Sequence, residues 1–312
     1  MLSVIITSLN ESDYVLNRTI ESILKAQDID LEIIVIDDCS DREVVIEQEL
    51  KDKVYIHRNP IRMGVAQSRH IGATLANREW ILFTDAHMIF HPFFYANFKE
   101  HAKTSKPDTV YNGACIGLWS ENIIDYTNIN LNNLPHYYGA SLMLYNEKEN
   151  QILEGKWNPI SNNDNNYKIS CLMGAVYFIK KDFFFKIRGL SDLKMWGSDE
   201  PCLSLKTMLC GGEIRQLKDV KAAHIFRPSA PYHTYTKYLI YNKIRMLATL
   251  LPENVASSLI HKMKKDETFY AALSLIENEN KIIEEYRDYY KSIFIKDFST
   301  ICQENNIEYP HE

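Results

Sequence analysis

The sequence predicts an α/β fold in which a mostly parallel central β-sheet is flanked by helices. Three stretches rich in Val and Ile, at residues 2–6, 33–36 and 80–83, are almost continuously apolar. Continuous rather than alternating apolar runs are typical of strands that are covered on both faces. Segments with helical patterning separate the three stretches, and strands that alternate with helices form parallel sheets. We therefore expect ligand-binding loops at the carboxyl ends of these strands.

The helices between the strands have recognisable patterns. Ser12 is a suitable N-cap, and apolar residues follow it at helical spacing over residues 15–24. A second helix, rich in small residues, is expected over residues 64–77. Residues 171–179 are predicted to form a further apolar strand, and the chain beyond Pro228 is predicted to be mainly helical.

The pattern of the chain suggests a division into two parts. Residues 1–230 are expected to form the α/β domain, with one half at about 1–105 and a second, less regular half at about 106–230. The second half contains Asn-rich polar segments such as 162–166. Residues 231–312 are expected to form a helical C-terminal extension.

Composition excludes several classes of protein. Hydrophobic residues make up 46% of the chain, which is enough for a large core. The net charge is -6 and charges of both signs are interleaved, so we expect no binding to nucleic acid. No apolar run approaches the roughly 20 residues that cross a bilayer, so we expect no transmembrane segment and at most peripheral membrane contact.

The N-terminus and the cysteines favour a cytoplasmic protein. The chain begins on an apolar strand, without the basic and apolar segments of a secretion signal. Its six cysteines are scattered and form no C-x-x-C motif, which favours reduced thiols over a zinc ribbon or a disulfide framework.

A candidate metal site follows the strand at residues 80–84. Asp85 and His87 are separated by one residue, so both side chains leave the sheet edge in the same direction and can bind one cation. A carboxylate oxygen and an imidazole nitrogen suit manganese or another first-row divalent ion better than calcium. An isolated D-x-H is more often a strand end whose Asp caps the next turn. His224 is a candidate third ligand because this pair needs completing.

Polar residues also follow the first two strands. Asn10 follows the first strand, and Asp37 and Asp38 end the second, so the three strand ends are expected to meet at one crevice. The two carboxylates could accept hydrogen bonds from a nucleotide base and from ribose hydroxyls. The alternative is that they only open a turn.

Arg62 and Gly64, followed by Arg69 on the second helix, are candidates for a cationic, tightly turned segment near a nucleotide. A diphosphate would gain charge-assisted hydrogen bonds from such arginines. Arginine beside a helix start is at least as often a surface residue.

Two adjacent acids, Asp199 and Glu200, stand before Pro201 at the start of a predicted helix. The helix macrodipole and the preference for Pro in the first turn explain these residues without catalysis. The functional alternative is that one carboxylate contacts an acceptor hydroxyl and the other takes its proton, with Trp196 packed against a sugar ring.

In this order, the motifs resemble those of GT-A-fold glycosyltransferases, in particular the catalytic domain of the polypeptide N-acetylgalactosaminyltransferases and the large glycosyltransferase family 2. The resemblance covers roughly residues 2–253. Its most specific part is D-x-H at 85–87, then W-G-x-[DE] at 196–199, then H-x-F-R at 224–227. The matching stretches are residues 4–11, 34–40, 62–72, 82–87, 173–175, 195–200, 210–212 and 223–227.

The resemblance implies roles for the residues at matching positions. Those that help to hold a uridine nucleotide are Thr7, Asn10, Asp38 and Arg69. Those that bind Mn²⁺, or another divalent cation such as Mg²⁺, are Asp85, His87 and His224. Those that line the donor-sugar and acceptor site are Trp196 and Asp199. Residues 1–105 then form the nucleotide-binding half of the domain and residues 106–230 the acceptor half.

The sequence departs from the family pattern beside the two acids. The usual W-G-G-E becomes W-G-S-D, with Ser198 in place of the second glycine and a shorter acid at Asp199. Glu200 stands where the N-acetylgalactosaminyltransferases usually have Asn and where many inverting enzymes carry their base. The metal motif favours a retaining reaction, which we expect first, and Glu200 favours inversion.

The resemblance therefore implies a metal-dependent glycosyltransferase that uses a UDP-sugar such as UDP-GalNAc, UDP-GlcNAc or another UDP-hexose. The acceptor is a saccharide, a lipid-linked glycan or a protein. The alternatives are an inverting enzyme with Glu200 or Asp199 as base, and a sugar-nucleotide-binding protein without turnover. A nucleotidyltransferase would need a Gly-rich, basic phosphate loop after the first strand, and residues 7–11 contain no Gly, Lys or Arg.

Overall fold

The computed structural model describes residues 1–26, 30–119, 131, 134–149, 151–159, 162–229 and 232–309. Its strands are β1 Leu2–Ser8, β2 Leu31–Asp37, β3 Val54–Arg58, β4 Trp80–Asp85, β5 Met88–Phe90, β6 Thr109–Trp119, β7 His136–Tyr137, β8 Ala140–Asn146, β9 Gln151–Trp157, β10 Asn166–Ile169, β11 Val176–Lys180 and β12 Glu213–Phe226. Its helices are α1 Asp13–Lys25, α2 Val65–Leu75, α3 Phe94–Lys103, α4 Lys181–Lys186, α5 Asp199–Leu209, α6 Thr236–Leu250, α7 Glu253–Met263, α8 Phe269–Glu277, α9 Asn280–Ile293 and α10 Phe298–Asn305. A short 3₁₀ turn, Lys51–Lys53, precedes β3.

Most strands of the described chain belong to one large sheet, in the order β10-β12-β6-β11-β4-β1-β2-β3. β5 pairs with β12, β7 pairs with β6, and β8 and β9 form a separate hairpin. The segment β4-β1-β2-β3 is parallel throughout, as the sequence predicts. β11 joins β4 and β6 in antiparallel orientation, and β12 runs parallel to β6. The predicted α/β fold is thus confirmed, with the uniformly parallel part of the sheet confined to β4-β1-β2-β3.

Both faces of the parallel segment are covered, which explains the continuous apolar runs. Successive residues of a strand point to opposite faces. Ile5 belongs to the hydrophobic cluster that includes α2 residues, whereas Val4 and Ile6 belong to the cluster that includes α1 residues. The small residues of α2 allow close packing, since a Cβ at Gly72 would lie 2.4 Å from Cγ2 of Ile5.

Three predicted elements differ in detail from the observed ones. Ser12 does precede α1, but its side chain makes no capping hydrogen bond. α2 covers residues 65–75 rather than 64–77. The strand predicted over residues 171–179 is wrong in its first half, because β11 begins only at Val176. Gly174 has a φ of +69°, in a turn that a regular strand cannot contain.

The helical prediction for the region beyond Pro228 is confirmed by α6–α10. These helices pack against the rest of the chain, since Leu247, Phe269 and Tyr290 belong to the same buried cluster as Ile5. In the described part of the chain, no helix is long and apolar enough to cross a membrane. All six cysteines, each within the described residues, are unpaired. Part of the predicted acceptor half, residues 120–130, lies outside the described residues.

Candidate active site

A cavity of about 700 Å³ lies at the carboxyl ends of β1, β2 and β4. All of the residues predicted for the site line it except Asn10 and Asp37, and these are Thr7, Asp38, Arg62, Gly64, Arg69, Asp85, His87, Trp196, Asp199, Glu200 and His224. The strand registers explain part of this convergence. Thr7 pairs with Asp85 and Ser8 pairs with Asp37, so the first, second and fourth strands end at the same level.

Three potential metal ligands meet at one side of this cavity. One donor atom from each of Asp85, His87 and His224 lies within 4.8 Å of those of the other two. Asp85 ends β4, and His224 lies on β12, where it pairs with Met88 of β5. The short β5 strand therefore brings together two sequence positions that are far apart in the chain. The ring centroids of the two histidines are 4.8 Å apart.

Glu11 fixes the orientation of His87. Its Oε2 is 2.9 Å from Nδ1 of His87, and its Oε1 accepts a hydrogen bond from Arg227 at 2.6 Å. Burial raises the pKa of Glu11, but the hydrogen bonds from His87 and Arg227 outweigh it, so the pKa is lowered overall. An ionised Glu11 accepts the Nδ1 proton of His87, and this leaves Nε2 free to bind a metal. Sequence reasoning did not assign Glu11 a role, although it closes the matching stretch 4–11.

His224 also has an uncommitted ring nitrogen. Its Nε2 lies 3.5 Å from Oδ2 of Asp85, and its Nδ1 is buried without a hydrogen-bond partner. Burial lowers the pKa of His224, against the opposing effect of its hydrogen bond to Asp85. A neutral imidazole is the form that binds metal ions, and a buried nitrogen without a partner is unusual unless a ligand satisfies it.

Arg69 connects the metal-site carboxylate to the two acids on α5. Its guanidinium is buried, and it donates hydrogen bonds to Asp85 Oδ1 and Asp199 Oδ2, each at 3.0 Å. Oε1 of Glu200 lies 3.8 Å away, and the guanidinium carbon is 5.3 Å from the ring centre of Tyr177. Arg69 therefore contacts carboxylates directly. The nucleotide contact predicted for it stays a prediction.

The charges around Asp85 favour its ionised form. Burial raises its pKa, but the hydrogen bond with His224 and the positive charge of Arg69 lower it far below the ordinary value. An ionised carboxylate at this position can bind a cation at any physiological pH.

The two acids at the start of α5 behave differently from Asp85. Burial raises the pKa of Asp199, and Arg69 opposes this without cancelling it. Burial, followed by repulsion from Asp199, raises the pKa of Glu200 to about 7, against the opposing charge of Arg69. Glu200 can therefore exchange a proton near neutral pH, whereas Asp199 is held by Arg69.

The loop before α5 has an unusual backbone. Met195, Gly197 and Ser198 have φ angles of 56°, 100° and 70°, which lie in the left-handed region that non-glycine residues disfavour. Trp196, between them, is 46% exposed and lines the cavity. Ser198, the residue that departs from the W-G-G-E pattern, thus occupies a position suited to glycine.

Asp38 organises the segment that carries Arg62 and Gly64. Its carboxylate accepts hydrogen bonds from the backbone N–H groups of Met63 and Gly64, at 2.8 and 2.7 Å, and from the Asn59 amide. Gly64 has a φ of +88°, and a Cβ there would lie 2.0 Å from Cα of Met195. Asp38 therefore holds the turn that packs against the loop before α5.

The remaining predicted residues contact the protein itself. Asn10 and Asp37 are the two predicted site residues that do not line the cavity. The side chain of Asn10 exchanges two hydrogen bonds with Asp41, which join the loops after β1 and β2. Asp37 pairs with Arg58 and accepts a hydrogen bond from the backbone of Ser40. The ligand contacts predicted for Asn10 and Asp37 stay predictions.

Arg62 lines the cavity and contacts the segment before α6. It donates a hydrogen bond to the carbonyl of His233 at 2.7 Å, and its guanidinium carbon lies 5.3 Å from the ring centre of Tyr232. The segment before α6 is thereby attached to the cavity edge.

Comparison with known proteins agrees with this arrangement. Residues 3–156 match the family model described as Glycosyl transferase family 2. N-acetylgalactosaminyltransferase 7 of Drosophila melanogaster is 28% identical over 251 residues, covering 74% of this chain and 40% of that protein. The Mus musculus protein of the same name is 29% identical over 249 residues, covering 72% and 36%. The chain thus spans about two fifths of the length of these curated relatives.

Solved structures show the same fold. The crystal structure of GalNAc-T7 with UDP, GalNAc and Mn²⁺ matches with a TM-score of 0.68 and 20% identity, over 97% of this chain and 56% of that one. The structure of S. aureus TarS 1-349 in complex with UDP-GlcNAc matches with a TM-score of 0.55 and 13% identity, over 100% and 93%. The chain has the GT-A fold and resembles the catalytic domain of the polypeptide N-acetylgalactosaminyltransferases.

Proposed function

We propose that this protein is a divalent-cation-dependent glycosyltransferase that transfers a hexose, such as GalNAc or GlcNAc, from a UDP-sugar. The observation that carries the proposal is the cluster of Asp85, His87 and His224 beside Asp199 and Glu200 in one cavity. The similar structures that contain UDP or UDP-GlcNAc support a UDP-sugar as the donor.

The donor atoms of the cluster fit a first-row divalent cation. Two imidazoles and one carboxylate suit Mn²⁺ and similar ions, and the unpartnered Nδ1 of His224 is consistent with a missing ligand. A bound Mn²⁺ or Mg²⁺ would act as a Lewis acid that stabilises the charge on the UDP leaving group.

Neighbouring residues orient the metal ligands and keep Asp85 ionised. Glu11 holds His87 in the tautomer that exposes Nε2, and Arg69 keeps Asp85 ionised and in place. Arg69 also holds Asp199 at the cavity wall. Rigid support of this kind typically accounts for a tenfold to about hundredfold difference in metal affinity or activity.

We further propose that the acceptor is a free saccharide rather than a lipid-linked glycan or a protein. Trp157 and Phe226 line the cavity, and a row of ring contacts extends from them to Trp119. Tyr137 is 5.1 Å from Trp157 and 6.3 Å from Phe226, which is 5.5 Å from Trp119, measured between ring centroids. Trp119 is 55% exposed. Partly exposed aromatic faces beside a transfer site suit the apolar faces of sugar rings.

The six unpaired cysteines support a reducing compartment, and on that basis we place the protein in the cytoplasm.

The direct test measures UDP release from a panel of UDP-sugars, with and without Mn²⁺. We expect metal-dependent release from one donor, and its loss in Asp85→Ala, His87→Ala and His224→Ala. His57→Ala, on the edge strand β3, serves as the control and should retain wild-type activity. No release from any donor, with tight binding of UDP, would instead indicate a sugar-nucleotide-binding protein.

The acceptor proposal is tested with the active donor and arrays of soluble glycans, peptides and lipid-linked glycans. Trp119→Ala should raise the KM for the best glycan while leaving release of UDP to water unchanged. Transfer to peptides alone would refute the proposal.

The retaining reaction is the first candidate mechanism. The raised pKa of Glu200 favours the inverting reaction as the second. A base that exchanges a proton near pH 7 is suited to accept the proton of an acceptor hydroxyl. The anomeric configuration of the first product, measured by NMR, distinguishes the retaining from the inverting reaction. Glu200→Gln should lower turnover by several orders of magnitude if the product is inverted, and only mildly if configuration is retained.

A further inference from the structure

One buried amide of the C-terminal extension contacts the loop that precedes the two acids. Asn242 lies on α6 and is completely buried. Its Oδ1 accepts a hydrogen bond from the backbone N–H of Lys194 at 2.8 Å. Its Nδ2 donates hydrogen bonds to the carbonyls of Lys194 and Gly197, at 2.8 and 2.9 Å. The amide therefore binds both ends of the segment 194–197.

Contacts from the C-terminal extension stabilise this segment, whose backbone is strained. Met195 and Ser198 are non-glycine residues in the left-handed region, and such a conformation costs about 1–2 kcal/mol for each residue. The next two residues, Asp199 and Glu200, begin α5 at the cavity wall. A change in the loop would therefore shift both acids and Trp196 together.

Two further contacts attach the same loop to the C-terminal extension. A Cβ at Gly197 would lie 2.6 Å from Cδ1 of Leu239, so α6 packs directly on the loop backbone. The ammonium of Lys194 pairs with Glu279, which also accepts hydrogen bonds from Tyr241 and Arg245. Helix α6 and the turn before α9 thus both contact the loop and stabilise its position.

We propose that Asn242 is a positioning residue of the transfer reaction. It touches no substrate, but it fixes the loop that places Trp196, Asp199 and Glu200 in the cavity. The metal ligands lie on β4, its following loop and β12, and this amide bonds none of them. The loop reaches them indirectly, through Arg69, which bonds both Asp199 and Asp85. The inference rests on the proposed function and assigns the C-terminal extension a part in the transfer step.

The test compares Asn242→Leu and Asn242→Asp with the wild-type chain. Leucine has a similar volume and removes all three hydrogen bonds. Aspartate retains the acceptor for Lys194 and, when protonated, one donor, so it should rescue part of the function. Asn278→Asp is the matched control, because Asn278 is exposed and its side chain donates a hydrogen bond to the Ser274 carbonyl of its own helix.

The expected result is a separation of binding from turnover. Asn242→Leu should lower kcat by about a hundredfold and Asn242→Asp by about tenfold, since a misplacement of about 1 Å can have such an effect. The affinity for UDP with Mn²⁺, measured by calorimetry, should stay within about threefold of wild type, since Asn242 bonds none of the metal ligands directly. Hydrogen exchange at the amides of Met195 and Cys202, which donate to the carbonyls of Met63 and Ser198, should become about tenfold faster, and the control should match wild type.

Two results would overturn the proposal. One is wild-type kcat and exchange in Asn242→Leu. The other is a parallel loss of kcat and UDP affinity in both variants, which would indicate a general structural role. If the wild-type chain releases no UDP, the proposed function fails, while the exchange rates of the Met195 and Cys202 amides still decide whether Asn242 holds the loop.

Discussion

Replacing Glu200 by Gln should stabilise the protein at alkaline pH. Burial and the charge of Asp199 raise the pKa of Glu200 from an ordinary 4.5 to about 7 in the folded state. Its side chain is only 22% exposed, so solvent screens little of this shift in pKa. In the unfolded chain the same carboxyl ionises near its ordinary pKa. The wild-type protein must therefore hold an unfavourable charge at high pH that the amide variant lacks.

The sign and size follow from the two pKa values. Because the folded-state pKa is raised, the contribution of the carboxyl to stability is fully present below about pH 4.5 and is lost as the pH rises through about 7. A difference of about 2.5 between the two pKa values, at about 1.4 kcal/mol for each pH unit, gives about 3.5 kcal/mol at the most. We expect the free energy of unfolding of Glu200→Gln to exceed that of wild type by about 3 kcal/mol at pH 8 and by about 1 kcal/mol at pH 5.

The assay is urea unfolding from pH 4.5 to 8.5 in EDTA, followed by circular dichroism. Glu253→Gln is the matched control, because Glu253 lies in the first turn of α7 and is exposed. The control should shift the free energy of unfolding by less than about 0.5 kcal/mol at every pH. A pH-independent difference between Glu200→Gln and wild type would refute the reasoning, since it would show that Glu200 is ionised alike in both states.

Three further substitutions test the support around the site. Glu11→Gln should weaken Mn²⁺ binding by about tenfold to a hundredfold, because the amide holds the His87 tautomer less firmly; unchanged affinity in calorimetry would contradict this. Gly64→Ala should cost more than about 3 kcal/mol in denaturant unfolding, because its Cβ would lie 2.0 Å from Met195, and a loss below 1 kcal/mol would show that the turn can move. Ser198→Gly should stabilise the fold by up to about 1 kcal/mol, because it relieves a left-handed backbone, and measurable destabilisation would argue against that strain.

Sequence patterns were sufficient for the elements whose environment is uniform along their length. Strands β1, β2 and β4 are apolar on both sides, so their sequences identify them without knowledge of their neighbours. The strand predicted over residues 171–179 failed in its first half because its apolar residues continue through a turn at Gly174. Apolar composition does not distinguish a buried turn from a buried strand.

The candidate site was predictable to the extent that its residues lie at strand ends or in matching motifs. Asp85 and His87 are separated by one residue, and His224 was a candidate because this pair needs a third ligand and because it follows in the order of the motifs. Glu11 was missed because its partners, His87 and Arg227, are 76 and 216 residues away. Only the structure shows that the side chain of Asn10, which follows β1, bonds Asp41, and the ligand contact predicted for it stays a prediction.

The sequence by itself determined the fold class, the strand ends that carry polar side chains, and the set of residues that can bind a metal ion. These follow from local hydrophobic periodicity and from short motifs, which depend on neighbours in the chain. Only the tertiary structure decided which carboxylates are paired and which exchange protons near neutral pH. Arg69 pairs with Asp85 and Asp199 but lies farther from Glu200, and the energy of a buried charge depends on such distances rather than on sequence order.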